Sequence, residues 1–139
     1  MTRILGIDFG EKRIGLAVSD PLGFTAQGIS TLPHTGLKNV IEALAGICRQ
    51  HEVREIVIAL PVNMNGSLGP KATEILQLVP RLEAALSLPV KTWDERLSSK
   101  QVGRLMIEGG VSREKRKKES DRLAAVLILQ SYLESKRNS

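Results

Sequence analysis

Arg3-Ile4-Leu5-Gly6-Ile7-Asp8-Phe9-Gly10-Glu11-Lys12-Arg13-Ile14-Gly15-Leu16-Ala17-Val18-Ser19 is the stretch on which the fold turns. Residues 3–9 are a short apolar run that closes at Gly10, and 13–19 are a second run after a polar turn, so the spacing predicts two strands joined as a hairpin. A third extended piece over 26–32 follows the Pro21-Leu22-Gly23 turn and stops before Pro33, which makes a meander. Over 36–50 the period changes. Leu37, Val40, Ile41, Leu44, Ala45, Ile47 and Cys48 recur at helical spacing, opposite Lys38, Glu42 and Arg49. Residues 56–60 are wholly apolar, as expected of a strand buried on both faces in the middle of a sheet.

Pro61 ends that strand, and 61–70 reads as a loop containing Asn63, Asn65, Gly66 and Gly69. A helix over 71–86 follows, with Pro80 expected to kink or break it. A last strand over 90–93 leads into Asp94-Glu95-Arg96. Beyond it come a helix over 98–108, the Gly109-Gly110 stop, a basic loop, and a terminal helix over 120–136. Three strands in a meander, then helix, strand, helix, strand and helix, predict a mixed sheet whose later strands are parallel and covered by helices.

The chain has 139 residues, 42% hydrophobic and 25% charged, which is ordinary globular composition and fits a single domain over 1–139. No run approaches the roughly 20 apolar residues of a spanning helix, and Asp8 and Glu11 interrupt any secretory pattern, so a cytoplasmic protein with no membrane association is expected. Cys48, the only cysteine, sits among helical apolar neighbours and reads as a small buried side chain. The formal net charge is +5. Most of that excess falls after residue 110, centred on Arg113-Glu114-Lys115-Arg116-Lys117-Lys118, a run that either contacts phosphates or is a solvated loop. With four aromatics (Phe9, Phe24, Trp93, Tyr132), base stacking cannot be the main mode of binding, and contacts to backbone or shape are expected.

Three carboxylates stand out. Asp8 closes the first strand after positions that should be buried, which is costly unless cations or donors compensate it. Lys12 and Arg13, in the turn between Gly10 and Gly15, could do so, and a plain turn aspartate paired with either is the alternative. Glu95 lies at the end of the last strand, where it could open onto the same edge as Leu60 or simply pair with Arg96. Asp121 shares a helical face with Ala124, Ala125, Ile128 and Tyr132. The helix dipole and capping could by themselves explain an acid in a first turn. If these three converged they would make an oxygen-rich site for Mg2+ or Mn2+, hard cations that prefer carboxylates and water. Two such ions about 4 Å apart can activate water and stabilise the leaving oxygen of a phosphodiester. His34 and His51 are too few for a zinc site of histidines, and Cys48 has no base beside it.

Four blocks in order, Leu-Gly-Ile-Asp-Phe-Gly-Glu-Lys-Arg-Ile-Gly-Leu-Ala-Val-Ser-Asp (5–20), Ala-Leu-Pro-Val-Asn-Met-Asn-Gly-Ser (59–67), Asp-Glu-Arg-Leu (94–97) and Lys-Lys-Glu-Ser-Asp-Arg-Leu-Ala-Ala-Val-Leu-Ile-Leu-Gln-Ser-Tyr-Leu (117–133), resemble the bacterial YqgF, or RuvX, family. The resemblance implies an α/β, RNase H-like three-layer α/β/α fold around a five-stranded mixed sheet of order 3-2-1-4-5. It implies that Asp8, Glu95 and Asp121 are the catalytic, metal-binding triad, with Asp94 a further ligand or a partner of Arg96. Lys12, Arg13 and Arg96 would contact phosphate, Asn63 and Asn65 would offer neutral contacts, and Arg113, Lys115, Arg116, Lys117 and Lys118 would grip the nucleic acid. Many members carry an aspartate where Asn65 stands. The family implies a nuclease that processes the 5′ end of precursor 16S ribosomal RNA, or a Holliday junction resolvase.

The expectation is therefore a Mg2+- or Mn2+-dependent phosphodiester hydrolase, with structured RNA preferred, branched DNA as the other substrate, and a monomer or weak homodimer as the working state. A non-catalytic nucleic-acid-binding factor in transcription or ribosome assembly would keep the basic run without needing the triad. The first block also resembles the first phosphate loop of the actin and sugar-kinase superfamily, but those proteins bind nucleotide between two domains, and 139 residues leave no second wall.

Overall fold

The computed structural model describes residues 3–97 and 113–137, with the side chains of 113–121 outside the description. The helix expected over 98–108 and its Gly109-Gly110 stop therefore lie outside the described residues. Five strands, β1 (Arg3–Phe9), β2 (Arg13–Ser19), β3 (Ala26–Pro33), β4 (Val53–Leu60) and β5 (Val90–Asp94), form one sheet of order β3-β2-β1-β4-β5. β1 to β3 are the antiparallel meander, whereas β4 lies parallel to β1, and β5 parallel to β4. The order and the mixed character match those expected from the sequence. Helices α1 (Leu37–Gln50) and α2 (Pro70–Leu86) cover one face, and α3 (Arg113–Arg137) covers the other.

Alternation along the strands builds both cores. Leu5, Ile7 and Phe9 point into the layer of α1 and α2 with Ile56, Ile58, Leu44 and Leu82. Ile4, Ala17 and Val57 face α3 through Ala125, Leu129, Tyr132 and Leu133. Cys48 is buried in the first layer as expected, and burial pushes its thiol up to about 11.

Three boundaries differ from expectation. α2 runs unbroken through Pro80. The hydrogen bond that proline cannot donate belongs to the exposed turn containing Leu76, where water can satisfy the carbonyl. β4 starts at Val53 rather than 56 because Arg54 faces solvent and Glu55, a charged residue in a strand, is accommodated by distant partners. Tyr132 Oη donates to Glu55 Oε2, Lys136 Nζ donates to Glu55 Oε1 at 3.1 Å, and Lys91 Nζ stands 3.9 Å from Oε2. Burial raises the Glu55 carboxyl, but these donors and cations bring it below its ordinary value overall. Finally, α3 begins at Arg113, so the basic run is the start of a 25-residue helix and not a loop. Glu114 stands four residues before Lys118, a spacing that favours an exposed helix.

Candidate active site

The site builds up from the C-terminal edge of β1. Ile4 and Gly6 face α3, so Asp8, next in the same alternation, is carried to that face at the strand's end, where it is half-buried. Gly10 accepts the tight return: its N–H bonds Arg13 O at 3.1 Å, and a Cβ there would lie 2.4 Å from that oxygen. The turn so closed carries Lys12, exposed, and Arg13, half-buried, beside the end of β1. Asp8 and Arg13 both have interaction partners.

Parallel register sets the position of Glu95. Ile7 pairs with Ile58 and Ile58 with Thr92, so Asp8 stands level with Ala59 and Trp93, and Glu95 opens a 3-10 turn (Glu95–Leu97) two residues further on. Two strand spacings, roughly 10 Å, separate the backbones of β1 and β5 there. The turn packs against α3, as does the preceding Trp93, whose indole N–H donates to Ser131 Oγ at 3.0 Å. Glu95 is half-buried; burial, reinforced by the Asp94 carboxylate, raises its carboxyl above the ordinary value.

The path of α3, the helix that carries Asp121, is set by how it crosses β1. A Cβ on Gly6 would sit 2.8 Å from Leu129 Cβ and 3.2 Å from the Ala125 carbonyl oxygen, so the helix backbone lies directly on this glycine. Nearer the other end of the strand, Ile4 and Leu133 line one cavity, which fixes α3 as running opposite to β1. The 125–129 segment covers Gly6 and Arg122 lies on Gly28 of β3, so α3 crosses the sheet from β3 toward β1 on the face to which Asp8 is carried. Its backbone before this crossing runs through the Asp121 position. Because the helix starts at Arg113, Asp121 lies in its third turn, and a first-turn cap does not account for it. Ala125, Ile128 and Tyr132, further along the same face, are buried as expected, and Ala124 is half-buried.

The remaining expected contacts divide. Asp94 is the partner of Arg96: Arg96 Nη2 to Asp94 Oδ2 is 2.7 Å and Arg96 Nε to the same oxygen 3.0 Å. These bonds hold the Asp94 carboxyl below its ordinary value. Arg96 Nη1 reaches the carbonyl oxygens of Asn63 at 3.4 Å and Met64 at 3.5 Å, so this guanidinium braces the 61–69 loop against the end of β5. The amides of Asn63 and Asn65 are engaged within the loop, Asn63 Nδ2 donating to Ser67 Oγ at 3.0 Å and Asn65 Oδ1 accepting from the Ser67 N–H at 3.0 Å. The backbone of Arg113, Lys115, Arg116, Lys117 and Lys118 forms the first turns of α3, leading into Asp121. One cation was missed: Lys71, in the first turn of α2, holds its ammonium 5.9 Å from the centroid of Phe9, the residue after Asp8. Its place just beyond the loop, at a helix start, was the signal available in the sequence.

Among the described residues no group of three or more His, Cys, Asp or Glu side chains is close enough to hold a metal ion; the side chain of Asp121 is outside that set. The donors do suit a hard cation. They are oxygens alone, and Glu95, half-buried beside a second carboxylate, is a position where added positive charge relieves both desolvation and repulsion.

A three-layer sheet of this order, with acidic residues at the ends of β1 and β5 and on the crossing helix, is the RNase H-like fold of resolvase-type nucleases. Thermus thermophilus RuvC in complex with a Holliday junction substrate superposes with a TM-score of 0.59 at 17% identity, covering 100% of this chain and 98% of that one. The fowlpox virus resolvase bound to Holliday junction DNA gives 0.58 at 15% identity, covering 97% and 99%. The profile of the RuvX family, described as Holliday junction resolvase, matches residues 2–135, and the chain belongs to that family. Among its relatives, a protein of Syntrophomonas wolfei named "Putative pre-16S rRNA nuclease" is 52% identical over 132 residues, covering 95% of this chain and 94% of the relative. One of the same name in Clostridioides difficile is 48% identical over 137 residues, covering 99% and 97%. Among the described residues no helix is long and apolar enough to cross a membrane.

Proposed function

We propose that residues 1–139 form one divalent-metal-dependent nuclease domain that processes the 5′ end of precursor 16S ribosomal RNA in the cytoplasm. What supports this reading is that Asp8 and Glu95 lie at the same edge of the sheet, at the ends of β1 and β5, in a member of a nuclease family whose relatives bear the pre-16S name. Asp8, Glu95 and Asp121 would hold Mg2+ or Mn2+. When bound, such an ion supplies charge against the phosphate oxygens and lowers the pKa of an attacking water.

The chain's own part is positioning. Lys12 and Arg13, on a turn fixed by Gly10, bind the phosphate next to the one cut, and Lys71 extends that cationic strip toward α2. The basic first turns of α3 hold more distant phosphates, so affinity should fall steeply with salt as condensed counterions are released. The sheet edge is rigid because every strand end that carries a functional group is paired in register, and that rigidity keeps the donors in place before substrate arrives.

Cleavage of branched DNA is the second reading, favoured by the description of the family itself. A comparison of a 16S precursor fragment, a four-way DNA junction and plain duplex, each with Mn2+, separates the two. Divalent-dependent cutting of the precursor, abolished in Asp8→Asn and Asp121→Asn proteins that keep the wild-type circular dichroism, is the expected result. Undiminished cutting by both variants would overturn the metal site, and cutting confined to the four-way junction would overturn the RNA assignment.

A further inference from the structure

The 61–69 segment is a held hairpin and not a slack loop. Val62 and Leu68 form a β-bridge, the Asn63 N–H donates to Ser67 O at 3.0 Å, and the Gly66 N–H donates to Asn63 O at 2.8 Å. The two asparagine amides close the interior, and Arg96, itself anchored on Asp94, ties the Asn63 and Met64 carbonyls to the end of β5. The polar groups of the hairpin are thus largely satisfied within it. Beside the exposed Asn63, Asn65 and Ser67 it also turns large apolar side chains outward: Met64 is 77% exposed and Leu68 51%, and Leu97 on the adjoining 3-10 turn is 61% exposed. These are three of the six large apolar side chains so exposed among the described residues, and they sit at the lip where β4 and β5 end, with Leu60 in register with Asp94.

From this arrangement we propose that Met64, supported by Leu68 and Leu97, is an apolar wedge that enters a base step of branched or bulged nucleic acid beside the phosphate being cut. The proposal rests on the nuclease reading above. Three observations favour a base step over other occupants of an apolar tip. The hairpin is continuous with the edge that carries Asp8 and Glu95. It is flanked by the basic side chains of Arg96, paired with Asp94, and Lys71, 3.9 Å from Glu74 Oε2, either of which a polyanion could draw from its carboxylate. And among the described residues this edge has no aromatic platform, since Phe9 is buried with Lys71 over its ring and Trp93 is packed against Tyr132 at 5.5 Å. A base contact here would therefore be insertion of an unbranched, polarizable side chain, for which methionine and leucine are suited.

Insertion discriminates between substrates by what it must break. Parting a stacked step costs a few kcal/mol, and least where the stack is already interrupted. A continuous duplex pays that in full and a branch point does not, so the wedge selects structured substrates without reading sequence.

The test uses the full chain and three-way junctions made in RNA and in DNA, each with 2-aminopurine at the branch, against linear duplexes of the same sequence. Wild type should raise the 2-aminopurine fluorescence on binding and cut the junction in preference to the linear duplex. Met64→Ser should abolish the rise and lower the junction-to-duplex cleavage ratio about tenfold, Met64→Leu should retain most of both, and the Tm of Met64→Ser should stay within about 2 °C because the side chain is in solvent. Met64→Ser with an undiminished rise and an unchanged ratio would overturn the wedge, as would the absence of any rise with wild type. Failure of wild type to cut any of these substrates would instead sink the nuclease reading, with the fluorescence still deciding the wedge. The RNA and DNA arms show which polymer it enters.

Discussion

Replacing Gly6 by alanine tests whether the close approach of α3 to β1 positions Asp121 for the proposed metal site. The new Cβ would lie 2.8 Å from Leu129 Cβ and 3.2 Å from the Ala125 carbonyl oxygen. Carbon atoms rest at about 3.5–4.0 Å, so roughly 1 Å of relief is needed. Neither obstructing atom is the free end of a side chain; both belong to the body of the helix, and α3 must lift as a unit. Overpacking of this kind costs about 1–3 kcal/mol, or roughly 4–12 °C in Tm for a chain of this size. Activity should fall by more than the lost stability explains, because a displacement of about 1 Å in a catalytic group can cost on the order of a hundredfold. Thermal unfolding followed by circular dichroism, paired with single-turnover cleavage at saturating enzyme and a temperature where the variant is folded, gives both quantities. A variant that loses stability as stated yet cuts at the wild-type rate would refute the argument, since the seating of α3 would then not position Asp121.

Tyr132→Phe should cost about 1–2 kcal/mol at pH 7, the worth of a hydrogen bond to a charged group that keeps its other partner, Lys136. Because the folded Glu55 carboxyl lies below its ordinary value, its stabilisation is present above the unfolded pKa and is lost as pH falls through the folded one. The difference between wild type and variant in urea unfolding should accordingly shrink below about pH 4, and a gap that stayed constant to pH 3 would contradict this origin. Asp94→Asn should loosen the hairpin by about 0.5–1 kcal/mol, given a half-exposed pair. The measure is hydrogen exchange at the Asn63 and Gly66 amides, roughly two- to fivefold faster; unchanged exchange would show that Arg96 does not brace the hairpin. With its thiol pushed up to about 11, Cys48 should react with iodoacetamide at pH 8 at least a hundredfold more slowly in the folded than in the urea-unfolded chain. Equal rates would place the thiol in solvent.

The parts of the fold that were legible in the sequence are those whose cause is local. β1, β2 and the run 56–60 declare themselves because alternation or unbroken apolarity reflects which faces are covered, and the meander follows from short polar turns that leave the chain no other course. The start of β4 was not legible because its justification is distant: Glu55 is tolerable in a strand only through Tyr132 and Lys136, some eighty residues away. The basic run reads as a loop because six charged residues carry no apolar period, though charged pairs at i,i+4 support an exposed helix as well. At the candidate site the same divide holds. Asp8 and Glu95 could be singled out as carboxylates at strand ends, a local feature, whereas the asparagines between Pro61 and Gly69 looked available for substrate and are committed to shaping the hairpin. Met64 left one trace, an apolar side chain in an otherwise polar turn with no core to enter. What no local pattern conveys is how closely α3, the helix that carries Asp121, lies on β1. It depends on a glycine in a central strand, a residue that in isolation only weakens the strand. Here its missing side chain is the space in which the helix lies, and that space sets how near α3 comes to β1.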